Sequence, residues 1–251
     1  MKLFTFLTVL LFAVALFTQG CVMIDSSLGL DPIDRGHSIV GSGHLVTLTP
    51  DFKNFKKIYL SHSFRARIEK GSASSVKIET DDNIEQYVRA SQTDDEIHIG
   101  LEDNSYSNVT LTVVIVTPDL SLINVSGAAS VTLNGFNLSH SLEIVSSGSC
   151  ILNGTLNAAD VVMKLSGGTI VNFTGGADDL QVEGSGGTVL RLLSFPVKTC
   201  KASLSGGSVS DVSVSDTLEV TLSGGSVFRY RGNPVMRLVS VSGGSTIQRL
   251  Y

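Results

Sequence analysis

Tryptophan is absent from this chain of 251 residues, aromatic residues make up only 6% of it, and charged residues only 16%. No run of lysine or arginine occurs, and the formal net charge is −5. A protein without a basic stripe or aromatic platforms lacks the usual means of holding nucleic acid, which argues against that partner. Proline is scarce, five residues against 25 glycines, and serine and threonine are plentiful. That balance suits a fold with many tight turns. Hydrophobic residues reach 42%, enough for a sizeable core and incompatible with disorder. No stretch carries a helical apolar stripe of useful length.

One apolar run stands apart. Lys2 is followed by Leu3 to Phe17 and then by Thr18-Gln19-Gly20-Cys21. A basic start, a short apolar stretch and a small residue at the end form a secretory signal, assigned here to residues 1–20. The run is too short for a comfortable transmembrane helix. Cys21 has two readings. Gly20 favours cleavage before Cys21 and its lipidation, which would anchor the protein at the outer membrane or cell surface. Thr18 and Gln19 fit simple secretion into the extracellular space better. A lipidated Cys21 is the one expected link to a membrane. Residues 21–51, with Pro32, Gly36, Gly41, Gly43 and Pro50, read as a linker and leading arm.

Five sequons occur, at Asn108, Asn124, Asn137, Asn153 and Asn172. Each is an N-glycosylation acceptor if the host is a eukaryote. A chain this rich in serine and threonine also makes sequons by chance.

The main signal is a repeat. The phrase Val125-Ser126-Gly127 returns as Ser146-Ser147-Gly148, Leu165-Ser166-Gly167, Gly184-Ser185-Gly186, Leu204-Ser205-Gly206, Leu222-Ser223-Gly224 and Val241-Ser242-Gly243. The serines step by 21, 19, 19, 20, 18 and 19 residues. A period near 20 over seven copies is the mark of a solenoid. Alternation decides between strand and helix: Leu218, Val220 and Leu222 are separated by single polar residues, the period of a half-buried strand. The same beat runs through Val161, Met163 and Leu165, through Leu180 and Val182, and through Cys200, Ala202 and Leu204. A second inward row is expected just past the glycines, at Ile151, Ile170, Val189, Val209 and Val227. Residues 121–251 are therefore expected to form a parallel β-helix, taken as right-handed, of about seven coils. At about 4.8 Å per coil the stack is on the order of 35 Å long. The Ser-Gly phrase belongs at its corner, because glycine turns the chain and lets coils approach closely. A phosphate-cradling loop occurs once and opens a helix; this phrase does neither.

Residues 52–120 are less regular but rich in strands. Lys57 to Leu60, Arg65 to Ile68, Ser75 to Ile78 and Glu96 to Ile99 alternate, and Thr110 to Val116 is a β-branched run. Asp82 to Val88 reads as one short helix capped by Asp82 or Asn83.

At this point an ordered set of phrases comes together: Gly41-Ser42-Gly43, Phe55-Lys56-Lys57-Ile58, Val76-Lys77-Ile78-Glu79 and Thr117-Pro118-Asp119-Leu120 before Val125-Ser126-Gly127. The Ser-Gly copies and Arg229-Tyr230-Arg231-Gly232-Asn233-Pro234 complete it. From about Gly41 to Leu250 the chain resembles the putative auto-transporter adhesin, head GIN domain family. That family usually has Ser-Gly-Ala-Gly where this chain has Ser-Gly-Gly-Ser or Ser-Gly-Gly-Thr. The resemblance implies an exported β-helical domain, often on lipoproteins, with no catalytic residues to carry over.

A β-helix can also carry an enzyme, so the outward columns matter. Two residues before each serine the column reads Val145, Lys164, Glu183, Ser203, Thr221, Ser240. Four before, it reads Glu143, Val162, Gln181, Lys201, Glu219, Leu238. Neither places two carboxylates side by side, as glycoside chemistry requires. Lys164 with Glu183, and Lys201 with Glu219, are expected as ion pairs between coils. The acidic pairs Asp81-Asp82, Asp94-Asp95 and Asp178-Asp179 lack calcium-loop spacing. The five histidines, His37, His44, His62, His98 and His140, lack ligand spacing. No catalytic, metal or cofactor site is assigned. The expected function is a surface or secreted binding module for a glycan, an envelope component or a protein. A carbohydrate-active enzyme or a purely structural envelope protein is the alternative. Cys150 and Cys200 fall in different columns and about 10 Å apart along the axis, beyond the 7 Å Cα reach of a disulfide, so both are expected free.

Overall fold

A computed structural model describes residues 38–251. The proposed signal, Cys21, His37 and the first part of the linker lie outside the described residues.

The fold is a β-solenoid. One coil shows how the sequence makes it. Leu180, Val182 and Gly184 point inward, the chain turns at Ser185-Gly186, and Leu190, Leu192, Phe195 and Val197 point inward along the return. Cys200, Ala202 and Leu204 then begin the next coil directly above. Strands Ile151–Leu165, Ile170–Gly184, Val189–Leu204 and Val209–Leu222 each hold the return wall of one coil and the front wall of the next. They pair in parallel, in register, so each apolar row is buried by its neighbours. Seven coils between residues 122 and 249 follow this plan. All six of the largest buried side chains are phenylalanines, and Phe173 and Phe195 meet with centroids 6.4 Å apart. The inward row expected before the serines is observed: Leu165, Val182, Leu204, Val220 and Leu222 are all buried.

The row expected just past the glycines is displaced by one residue. Ile151 is 40% exposed, and Ile170, Val189, Val209 and Val227 are half-exposed on the outer surface. The buried residues are the ones on either side, Leu152, Val171, Leu190 and Phe228 following, and Cys150, Thr169, Thr188, Ser208 and Ser226 preceding. The small polar residue turns inward because its hydroxyl satisfies the corner. Thr169, Thr188, Ser208 and Ser226 each donate to the carbonyl of the serine three residues earlier, at 2.8–3.0 Å. A buried carbonyl left unpaired would cost about 1–3 kcal/mol. That demand sets the phase of the strand that follows. Cys150 occupies the same column, its thiol 3.3 Å from the Ser147 carbonyl.

The N-terminal part is built from the same coil but threaded out of order. Strands Lys57–Leu60 and Arg65–Lys70 form a coil onto which residues 122–134 stack on one side. On the other side lie Glu96–Leu101 and Leu111–Thr117. The chain therefore leaves the stack at Lys70, re-enters one coil below, and crosses back at residues 118–121. Buried Thr117 holds the crossing, its hydroxyl donating to the Phe55 carbonyl at 2.8 Å. Asp119 adds contacts to Lys56 at 3.2 Å and His140 at 2.8 Å. The excursion consists of antiparallel strands, Ser75–Asp81 on Leu111–Thr117 and Val88–Thr93 on Glu96–Leu101. Leu45–Leu48 pairs antiparallel with Ser75–Asp81, so part of the expected leading arm belongs to the sheet.

The short helix expected over 82–88 is a single 3-10 turn, Glu85–Tyr87, with Ile84 at its cap position. Asp82 and Asn83 do not cap it. Asp82 accepts from the Ser42 hydroxyl at 2.5 Å, and Asn83 bonds the Ser42 amide and the Val40 carbonyl. Their side chains are committed to holding the leading strands.

Candidate functional site

The seven serines form one column, as expected. Each serine amide donates to the coil below, Ser147 to the Val125 carbonyl at 3.0 Å and Ser205 to Gly184 at 2.9 Å, for example. The ladder continues through the corner itself: Gly187 donates to Gly167 at 2.9 Å and Gly207 to Gly186 at 2.8 Å. The first glycine of each pair is required. At Gly206 φ is +72°, and a Cβ would stand 2.8 Å from the Gly186 carbonyl oxygen. The second glycine is not, since a Cβ at Gly207 would meet nothing closer than 3.8 Å. Ala128 and Ser149 already occupy that place in their coils.

The column has an eighth serine that the repeat does not reveal. Ser126 donates to Leu60, and Ala128 to His62, so Ser61-His62 is the corner of the 57–70 coil. His62 takes the glycine's place at φ +66°, held by the Leu101 amide, which donates to its Nδ1 at 3.2 Å.

Beside this corner runs an open groove of about 490 Å³. Ser147, Ser166, Ser185 and Ser205 edge it, and Val145, Lys164, Glu183 and Ser203 line its other bank. Those four bank residues are consecutive in register. Among the described residues the hydroxyls of Ser147, Ser185, Ser203 and Ser205 make no hydrogen bond, so they remain available to a ligand. A second hollow of about 320 Å³ extends the same column. Tyr59, Ser61, His98, Asn124 and Ser126 contribute to it. Tyr59 precedes Asn124 and Val145 in the ladder, and His98 stacks on Tyr59 at 4.3 Å with the rings 9° apart. The corner thus offers hydroxyls, Lys164 and Glu183 and an aromatic platform along one line, with Arg89 at the second hollow.

Both outward columns fall in the expected register, but the expected ion pairs do not form. Lys164 reaches diagonally to Glu143 at 2.8 Å, and Lys201 has no carboxylate within ion-pair distance among the described residues. The hydrogen bond that Lys164 donates to Glu143 raises the Lys164 pKa, so the ammonium stays charged at the groove. Glu183 is left to the amide of Gln181, at 3.4 Å.

One carboxylate stack lies outside the two columns considered from sequence. Asp160 and Asp179 are in register on adjacent coils. Asp160 accepts from Ser141 at 2.8 Å and Asp179 from Thr199, while Asp178 pairs with Lys198 at 2.8 Å. Asp179 shares an open hollow with Lys201, Glu219 and Arg237, two cations and two anions. Buried Asp81 accepts the amides of Gly43 and Thr110, both at 2.7 Å, and so pins the leading arm. Asp95 pairs with Lys57 at 3.3 Å. His44, His62, His98 and His140 stay dispersed, and no three His, Cys, Asp or Glu side chains gather as a metal site among the described residues.

Of the sequon asparagines, Asn108 and Asn137 are exposed and Asn124 sits in the groove. Asn172 donates its amide to Asn153 at 2.7 Å, tying those two into a ladder on the return wall. Cys150 and Cys200 are free, as expected, and both are buried. Burial pushes the Cys200 thiol up to about 12.

Stacked parallel coils with a repeated Ser-Gly corner define a parallel β-solenoid with an open, hydroxyl-edged groove along one corner. The chain belongs to the putative auto-transporter adhesin, head GIN domain family, whose model matches residues 54–234. Its fold is shared with a putative adhesin from Bacteroides fragilis, 17% identical, with a TM-score of 0.77 over 85% of this chain and 100% of that one. A putative lipid binding protein from Parabacteroides distasonis, 16% identical, gives a TM-score of 0.69 over 86% and 100%. A putative adhesin from Parabacteroides merdae, 18% identical, gives 0.63 over 85% and 99%. At these identities the likeness is one of fold. A comparison with curated proteins finds no match.

Proposed function

We propose that this protein is an exported binding module that holds an extended glycan along the serine corner. The observation that carries the reading is the groove from Tyr59 to Ser205, in which unbonded hydroxyls, Lys164 and Glu183 repeat at the coil spacing beside an aromatic pair. A saccharide presents hydroxyls at a similar repeat and an apolar ring face, so ladder and platform suit it together. The names of the similar solved proteins, adhesins for the most part, agree with this reading. The signal in residues 1–20 delivers the module outside the cell, and Cys21 is its lipid anchor; metabolic lipid labelling of wild type, absent from Cys21→Ser, tests the anchor.

Screening the mature protein on a glycan array tests the main reading. Binding to a subset of glycans is expected, with at least a tenfold loss in Tyr59→Ala and in the double variant Lys164→Gln, Glu183→Gln. A silent array, or variants that bind like wild type, would reject the groove. The carboxylates nearest one another on the outer surface are Asp160 and Asp179, with Glu219 in the hollow beside Asp179. Bound oligosaccharides are expected to keep their chain length on prolonged incubation, and shortening would favour an enzyme instead.

A further inference from the structure

The return wall carries its own outward ladder, on the far side of the corner from the serine groove. Asn153, Asn172, Arg191, Asp211 and Arg229 stand in register on successive coils. Arg191 and Arg229 flank the single carboxylate of Asp211, and Arg229 takes it completely. Its Nε lies 2.5 Å from one carboxylate oxygen and its Nη2 2.9 Å from the other. Arg191 is left without an acidic partner among the described residues. One contact, from its Nη1 to the Asn172 side-chain oxygen at 3.3 Å, is all the guanidinium makes. Most of its fork of donors is unused.

The same coil is locally too long. Register with the next coil jumps from Leu192/Val212 to Pro196/Ser213, so Leu193, Ser194 and Phe195 bulge out of the ladder. Phe195 points inward, fully buried against Phe173, and fixes the bulge to the core. The bulge forms the wall of a cleft of about 300 Å³ lined by Asn172, Thr174, Arg191, Leu193, Ser194 and Asp211. The cleft thus combines a free guanidinium, two hydroxyls, an apolar side chain and room for about one sugar ring.

We propose that this cleft is a second binding site, independent of the serine groove, which takes the carboxylate of an acidic sugar such as a uronate. A guanidinium matches a planar carboxylate with two parallel hydrogen bonds. The charge count favours a monoanion, because Asp211 is already neutralised and Arg191 alone supplies the excess. A phosphate dianion would call for more than one free cation.

Amide chemical-shift titration with sodium glucuronate, glucose and inorganic phosphate tests the assignment. Glucuronate is expected to shift residues 172–174 and 191–194 saturably, with a dissociation constant in the low millimolar range, about that of one well-placed charged contact. Glucose should leave them unmoved. Arg191→Gln should weaken glucuronate at least tenfold. Arg229→Gln should weaken it as well, because it releases Asp211 to pair with Arg191. Lys164→Gln should change nothing here, which separates this site from the serine groove. Absent shifts, equal binding of glucose, tighter binding of phosphate, or full binding by Arg191→Gln would each overturn the assignment.

Discussion

The two ends of the stack use the same coil and finish it differently. At the N-terminal end the antiparallel strands Ser75–Asp81 and Val88–Thr93 lie along the outermost coil and cover its edge. At the other end Val235–Val241 and Thr246–Arg249 pair on one side only. Met236, Val239 and Val241 are in register with Leu218, Val220 and Leu222, yet they are 39%, 45% and 42% exposed where their partners are buried. Identical positions in the repeat therefore carry very different weight. A residue's contribution comes from the coil stacked above it as much as from the coil that holds it.

The sharpest break of that comparison is truncation to alanine at equivalent positions of successive coils. Leu222→Ala is expected to cost about 2–5 kcal/mol as a core cavity. Val241→Ala, one coil on, is expected to cost about 1 kcal/mol or less, because Val241 keeps 42% of its surface in water and leaves no enclosed cavity when truncated. Urea midpoints measure both, and equal costs would mean that the last coil is covered in solution.

The corner permits a similar pairing at smaller scale. Gly206→Ala puts a Cβ at positive φ against a carbonyl and is expected to cost about 2–3 kcal/mol. Gly207→Ala has ordinary φ and open space, and should lie within about 0.5 kcal/mol of wild type.

Cys200 supplies a test of burial on the front wall. Its thiol is raised from 9.0 to about 12 by desolvation. The folded state thus keeps the proton that the unfolded state releases. The contribution of this group is present below about pH 9 and is lost as pH rises towards 12, by about 1.4 kcal/mol per pH unit. Comparing urea midpoints of wild type and Cys200→Ala at pH 8 and pH 10 should reveal a difference of that order between the two pH values. A constant gap would place Cys200 in contact with water.

The smallest effect expected is a gain. Ser210 stands in the inward row between Leu190 and Phe228, and its buried hydroxyl has no partner among the described residues. Ser210→Ala should raise stability by up to about 1 kcal/mol, since an unpaired hydroxyl leaves the core. A loss would reveal a partner for that hydroxyl.

The regular half and the threaded half also differ in what their sequences disclose. The serine column, the front-wall core and both outward columns are legible because polar and apolar residues alternate there without interruption. Past the corner the pattern misleads. Thr169, Thr188, Ser208 and Ser226 look like surface residues but turn inward to bond the corner, and Ile151 and Val189 look like core residues but face out. Only a count of the corner's unpaired carbonyls would have revealed the shift. The 57–70 coil escapes recognition because His62 replaces the glycine and the coil's neighbours in space come later in sequence. The groove is a further step away. Its bank is visible as a column, but Tyr59 and His98 join it only through the out-of-order threading, and Lys164 pairs diagonally with Glu143 instead of with Glu183 in register.

The claim that the serine corner is a binding surface is tested most directly by mapping a bound oligosaccharide, chosen from the array, onto the backbone amides. The account predicts shifts concentrated along one line, at residues 59–61, 124–126, 145–147, 164–166, 183–185 and 203–205, weakened together in Tyr59→Ala. Shifts confined to the return wall or to the exposed last coil, with the serine column silent, would contradict it.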